Sequence, residues 1–192
     1  MKYSLQGSLI SLAEELPAED LFPLSSVHAV DLSSDSVVLQ HEDAKGFMPL
    51  RAWIQSEWKQ HKGIEVDVNQ IFLTMDSEQV MDLLTSFYIN PGDIVFVESP
   101  TSPGILQTLR LQGAIIISID GDQEGLLPHS LEHLMEVKIP KLLFVTPNFT
   151  NPTGVLWSLE RRRIILDLCR RYQVLIVEDD TYGDLHFDVT ND

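Results

Sequence analysis

Five short apolar runs, separated by segments of helical periodicity, limit what this chain can fold into more than any other feature. QIFLT (70–74), DIVFVES (93–99), AIIISID (114–120), KLLFVTP (141–147) and VLIVEDD (174–180) are short for helices and rich in β-formers. Several stay apolar at consecutive positions, as strands covered on both faces do. Between the last two, Ile165, Leu168, Cys169 and Tyr172 recur at helical spacing, and Ser158 stands where an N-cap belongs. Val80, Met81, Leu84, Phe87 and Tyr88 form a similar stripe over residues 77–88, and NPGD (90–93) turns that helix into the next strand. Repeated βα units predict an α/β fold, a parallel doubly wound sheet with right-handed crossovers.

Residues 1–65 read differently from residues 66–192. ISLAEELPAEDLFP (10–23) looks like an extended arm, and GFMPLRAWIQSEWKQHKG (46–63) like a helix ended by glycine. The expected division is therefore an N-terminal arm and helix over 1–65, then an α/β domain over 66–192. Charge narrows the function classes. With 29 acidic against 13 basic residues the net charge is −16, which speaks against nucleic acid and anionic membrane surfaces as partners. The single cysteine, Cys169, allows no intrachain disulfide and suits a reducing compartment. The opening MKYSLQGSLISLAEELP does not read as a signal peptide, and no apolar run approaches membrane-spanning length. The expected location is the cytoplasm.

In open parallel sheets, ligands bind beyond the carboxyl ends of the strands. Those ends here read TMDSEQ (74–79), SPTSPG (99–104), TPNFTNPTG (146–154) and EDDTYGD (178–184). The stretch TPNFTNPTGVLWSLERRRIILDLCRRYQVLIVEDDTYGDL (146–185) resembles the core of the class I/II, fold type I, pyridoxal-phosphate-dependent aminotransferases. It is most similar to the branch of aminoadipate/kynurenine-type transaminases and the aminotransferase-like domains of MocR-type regulators. LPAEDLFP (16–23), GFMPLR (46–51), PGDIVFVESPTSPG (91–104) and EGLLPHSLEHL (124–134) fit the same pattern in order. The resemblance implies an incomplete large domain of that fold, with the small C-terminal domain absent, homodimer ancestry, and amino acid and 2-oxo acid substrates. It also assigns roles. Asp179 would face the ring nitrogen of pyridoxal 5′-phosphate, keeping it protonated so that the ring works as an electron sink. Asn151 and Tyr182 would bond its phenolic oxygen, and Ser77 and Gln79 belong to the loop that holds its phosphate at a helix N-terminus. Taken singly, Asp179 reads as one of a solvated acidic cluster, Asn151 as a turn residue and Tyr182 as a packed aromatic.

Departures from the family pattern cluster at the cofactor. Asp76 stands where the family has glycine; with Gln79 it forms an N-capping pair that competes with a phosphate for the same N–H groups. Ser102 replaces the ring-stacking aromatic, His41-Glu42 replaces Tyr-Gly, and Glu14-Glu15 replaces Gly-Gly. The last lysine is Lys141, at the wrong end of its strand, so no residue here matches the Schiff-base lysine. No catalytic residue is therefore assigned. These departures predict that the cofactor binds weakly or not at all and that these residues alone do not complete transamination. Two alternatives stay open: a non-catalytic binding module derived from a MocR-type effector domain, and a Mg²⁺ site at Glu178, Asp179 and Asp180.

Overall fold

The structure, a computed structural model, describes residues 21–28 and 43–185. The expectations placed on Glu14, Glu15, His41 and Glu42 lie outside the described residues. The chain divides into two compact units, Met1–Ile71 and Phe72–Asp192.

In the first unit, α1 is Leu24–His28 and α2 is Met48–Glu57, with Pro49 in the first turn, where a missing N–H costs nothing. A π turn, Trp58–Lys62, continues α2 until Gly63 stops it at φ 64°, the left-handed conformation that glycine adopts without strain. The chain then makes a 3₁₀ turn, Val68–Gln70, rather than entering the strand expected over residues 70–74. Asp67 decides this: its carboxylate accepts the Asn69 N–H at 2.7 Å, and the Gln70 side chain accepts the Asp67 N–H at 3.0 Å. Gln70 is spent on that capping box, and residues 71–74 join no ladder.

The second unit runs α3 (Ser77–Tyr88), β1 (Ile94–Ser99), α4 (Pro103–Leu111), β2 (Ile115–Asp122), β3 (Gly125–Leu126), α5 (Pro128–Val137), β4 (Leu142–Val145), α6 (Leu159–Tyr172) and β5 (Leu175–Glu178). Its five strands are ordered β3-β2-β1-β4-β5. β2, β1, β4 and β5 are parallel, with Val95 opposite Ile116 and Leu142, and Leu142 opposite Leu175. The sequence pattern missed β3, which turns back antiparallel to β2 across a tight hairpin. Period-two alternation splits the central strands between two cores. Phe96, Leu143 and Val145 pack with Leu131 and Met135 of α5 and Ile165, Leu168 and Cys169 of α6. Val95, Val97, Leu142 and Phe144 pack with Met81 of α3 and Ile105 and Leu109 of α4. The parallel sheet is the architecture that the apolar runs predict, with the central β1 and β4 buried on both faces and the flanking β2 and β5 only partly covered.

The α6 stripe and its Ser158 cap fall where the periodicity puts them; the Ser158 side chain accepts the Arg161 N–H. The α3 stripe needs correction. Phe87 is 81% exposed, while Thr85 is fully buried with its hydroxyl donating to the Met81 carbonyl at 2.7 Å. That bond satisfies the hydroxyl within the helix, so a threonine fills a core position that side-chain polarity alone argued against.

Candidate functional site

The carboxyl ends of β1, β4 and β5 gather the chemistry. At the end of β5, Asp179 continues the ladder by donating its backbone N–H to the Val145 carbonyl at 2.9 Å. Its side chain is half-buried, and Oδ1 accepts both the Thr181 N–H (3.1 Å) and the Thr181 hydroxyl (2.7 Å), closing a turn that holds the carboxylate in place. Asp179 and Ser77 line one cleft of about 240 Å³ whose apolar walls are Val80, Met81, Phe144 and Val177. The structure thus brings together one strand end and one helix head that lie about a hundred residues apart in sequence.

Gln79 does not join them. Its side-chain oxygen accepts the Met75 N–H at 2.8 Å, and its own N–H goes to Asp76 Oδ1 at 2.8 Å. The capping pair read from the sequence is present, with the return bond made to Met75 instead of Asp76. Asn151 and Tyr182 are half-buried at the same sheet end but are not among the residues walling the cleft. Ser102 occupies the N-cap position of α4, and Glu78 Oε1 comes within 3.4 Å of where a Cβ on Gly104 would lie. An acid therefore leans on the head of α4 as well.

Asn151 rides on the loop between β4 and α6, and that loop is heavily bonded. Thr150 N–H bonds the Val155 carbonyl at 2.9 Å, and Trp157 N–H bonds the Pro147 carbonyl at 2.9 Å. From α6, Arg162 reaches the Pro147 carbonyl and Asn148 Oδ1, and Asn148 in turn donates to Asp180. Gly183 lets the chain pass over that aspartate, since a Cβ there would overlap the Asp180 carboxylate. Beneath the loop lies Glu98, 6% exposed, which sequence reading treated only as part of the end of a strand. Burial pushes its carboxyl up to about 7, against the pull of bonds from Thr146, Trp157 and Thr150. Arg161 was also missed. It forks onto Asp122 (3.0 and 3.1 Å) and donates to the Gly125 and Leu126 carbonyls, tying α6 to the β2–β3 hairpin. An acid in a strand followed by distant donors leaves no local signal; Arg161 sits in a run of three arginines that looks like a solvated face.

Pyridoxal phosphate fits one half of this arrangement and not the other. The half-buried Asp179 at the edge of an apolar cleft suits a protonated aromatic nitrogen. At the α3 head, a carboxylate already takes the Gln79 N–H, and among the described residues the cleft wall offers Glu178, Asp179 and Asp180 but no cation to a dianionic phosphate. Lys138 follows α5 and Lys141 precedes β4, both at the amino end of the strand, opposite the cleft. Among the described residues, no group of three or more His, Cys, Asp or Glu side chains is arranged to hold a metal ion.

The fold has close counterparts among solved structures. The structure is similar to that of α-aminoadipate aminotransferase from Thermus thermophilus, solved in complex with N-(5′-phosphopyridoxyl)-L-leucine, at a TM-score of 0.81 and 30% identity, over 92% of this chain and 45% of that one. Among curated proteins, the chain is 31% identical to 2-aminoadipate transaminase of Thermus thermophilus over 97% of its own length and 47% of the relative's. It is 35% identical to aromatic-amino-acid aminotransferase 1 of Thermococcus litoralis, over 94% of its length and 46% of the relative's. The chain thus spans about half the length of the curated relatives it matches. The family profile of aminotransferase class I and II matches residues 28–191, and the chain belongs to that family.

Proposed function

We propose that these residues form the arm and much of the large domain of a transaminase-type protein, with the ring side of a pyridoxal phosphate site at Asp179, Asn151 and Tyr182, and that they do not transaminate by themselves. The observation that carries the reading is Asp179, a half-buried carboxylate fixed by Thr181 at the edge of an apolar cleft beyond a parallel strand. When bound, pyridoxal phosphate supplies an electron sink for chemistry on amino acids, provided its ring nitrogen stays protonated. This chain's contribution is to hold that proton with Asp179 and to orient the ring through Asn151 and Tyr182. Ser77 remains the one phosphate-side residue at the cleft, and Gln79 is committed to the cap.

Weak binding follows from the α3 head, and the lack of turnover from the two lysines of the second unit lying at the far end of β4. Amino acids and 2-oxo acids are the substrate classes of the whole protein in this reading, a second copy is its partner, and the cytoplasm its location. No described helix is long and apolar enough to cross a membrane.

The test is a titration of the purified chain with pyridoxamine 5′-phosphate, whose amine cannot form adventitious Schiff bases with surface lysines. Weak, saturable binding that Asp179→Asn reduces about tenfold, with Asp76→Asn raising it, is the expected result. Tight binding indifferent to Asp179→Asn would overturn the ring-side assignment. Turnover with an amino acid, a 2-oxo acid and added pyridoxal phosphate would overturn the claim of inactivity.

A further inference from the structure

The loop that carries Asn151 is held by a side chain from outside it. Glu98 Oε2 accepts the Thr146 N–H at 2.7 Å, Oε1 accepts the Trp157 indole N–H at 3.1 Å, and the Thr150 hydroxyl lies 3.4 Å from Oε1. These contacts fall at the first residue of the loop, at the residue before Asn151, and next to the Ser158 cap of α6. All four side chains are nearly inaccessible: Glu98 6%, Thr146 5%, Thr150 5% and Trp157 4% exposed. One carboxylate therefore spans the whole loop from below.

We propose that Glu98 is a positioning residue for Asn151, holding the loop against β1 so that Asn151 keeps its place at the sheet end that also carries Asp179 and Tyr182. The proposal rests on the reading of Asn151 as a ring-contacting residue. The tie has two forms, because the Glu98 carboxyl is pushed up by burial to about 7 and changes charge near neutrality. The neutral form is also bonded. The Thr150 hydroxyl gives its proton to the Thr146 carbonyl at 2.7 Å, which leaves its oxygen able to accept one from Glu98. Protonation of Oε1 then adds a donor toward the Thr150 oxygen while the same oxygen stays a weaker acceptor for the Trp157 indole N–H, so the loop is held in both forms but with a different balance of bonds.

Charged groups around Glu98 leave this titration to Glu98 itself. A cavity of about 120 Å³ beside it is shared with Asp122 of β2, whose carboxyl is held below its usual range by Arg161 of α6 and stays charged throughout. Glu124 completes that ion pair, and Arg162 binds the far side of the loop through the Pro147 carbonyl. β4 carries no charge, and the described loop residues in contact with Glu98 are all neutral.

The experiment follows the ¹⁵N-labelled full chain from roughly pH 5.5 to 8.5, reading the Thr146 and Thr150 amides, the Trp157 indole N–H and the Asn151 side-chain amide. All four signals should move with one midpoint near 7. Glu98→Gln should abolish that midpoint and displace the Asn151 signal while amides of α3 and α4 stay in place. An Asn151 signal that ignores the midpoint, or is unmoved by Glu98→Gln, overturns the proposal. Should Glu98→Gln fail to fold, Trp157→Phe removes one of the two N–H donors that bind the carboxylate, and an unmoved Asn151 signal there is equally fatal. Added pyridoxamine 5′-phosphate separates this from the function it rests on. If the wild type shows no response at Asp179 or Asn151, the proposed function falls, and the titration alone still judges the hold of Glu98 on the loop. If the probe binds, Glu98→Gln should weaken it about fivefold, the worth of one lost hydrogen bond, and equal binding would overturn the positioning role.

Discussion

At the scale of single residues, Glu98 gives stability a pH dependence opposite to that of most carboxylates. Its folded pKa, about 7, lies above the ordinary value of 4.5, so between these limits the folded chain holds the proton more tightly than the unfolded one. The stability this contributes is fully present below the unfolded pKa and is lost as pH rises through the folded one. Between roughly pH 5.5 and 8 the loss is about 2 kcal/mol. Asp122 does not disturb that window, because its lowered pKa puts its own effect at acid pH. Urea midpoints should therefore be higher at the acid end of the window, and Glu98→Gln should flatten the difference. A wild-type midpoint that is equal or higher at the alkaline end would show that Glu98 is more solvated than its 6% exposure indicates.

At the scale of elements, α6 is fastened to the β2–β3 hairpin through Arg161, which gives a short antiparallel strand its role in a parallel sheet. The guanidinium fork satisfies Asp122 and the Gly125 and Leu126 carbonyls together. Gly125 is needed there too, since a Cβ would stand 2.5 Å from the Trp157 ring. Arg161→Ala should cost at least about 2 kcal/mol, measured by chemical denaturation, because it strips donors from buried carbonyls as well as breaking the pair. Arg161→Lys should recover only part of this, as an ammonium cannot reproduce the fork. Equal stability of the alanine variant would mean that water replaces the guanidinium. These elements also show what the sequence could reveal. Strands buried on both faces announce themselves through consecutive apolar residues, and Ser158 and Gly63 mark helix ends by local chemistry, so the α/β layering was legible. QIFLT was misread because three consecutive apolar residues, Ile71 to Leu73, look alike in a strand and after a capped 3₁₀ turn; only the Asp67–Gln70 bonding separates the two. Asp179 and Ser77 were legible as strand-end and helix-head residues, but Glu98 was not, since its partners lie 48 to 59 residues further along.

At the scale of the whole molecule, the excess of acids sets the response to salt. The exposed ion pairs, such as Lys59–Glu65 and Arg170–Asp167, join side chains that are each more than half exposed, and solvent-screened pairs of that kind add little to stability. Against them stands the mutual repulsion of a net charge of −16 on a small chain. The two contributions respond oppositely to screening. Salt weakens attractive surface pairs and relieves repulsion, and with 29 acids facing 13 bases most charge contacts at intermediate distance are repulsive. Raising sodium chloride from about 20 to about 300 mM, which shortens the screening length to below about 10 Å, should therefore raise the melting temperature by a few degrees. Potassium chloride should act equally, because screening depends on ionic strength and not on the identity of the cation. A melting temperature that falls with salt would mean that the surface pairs outweigh the repulsion. A rise with magnesium far beyond that at matched ionic strength would instead point to a specific cation at the acidic strand end, Glu178 to Asp180, reviving the metal-binding alternative that the described geometry does not favour.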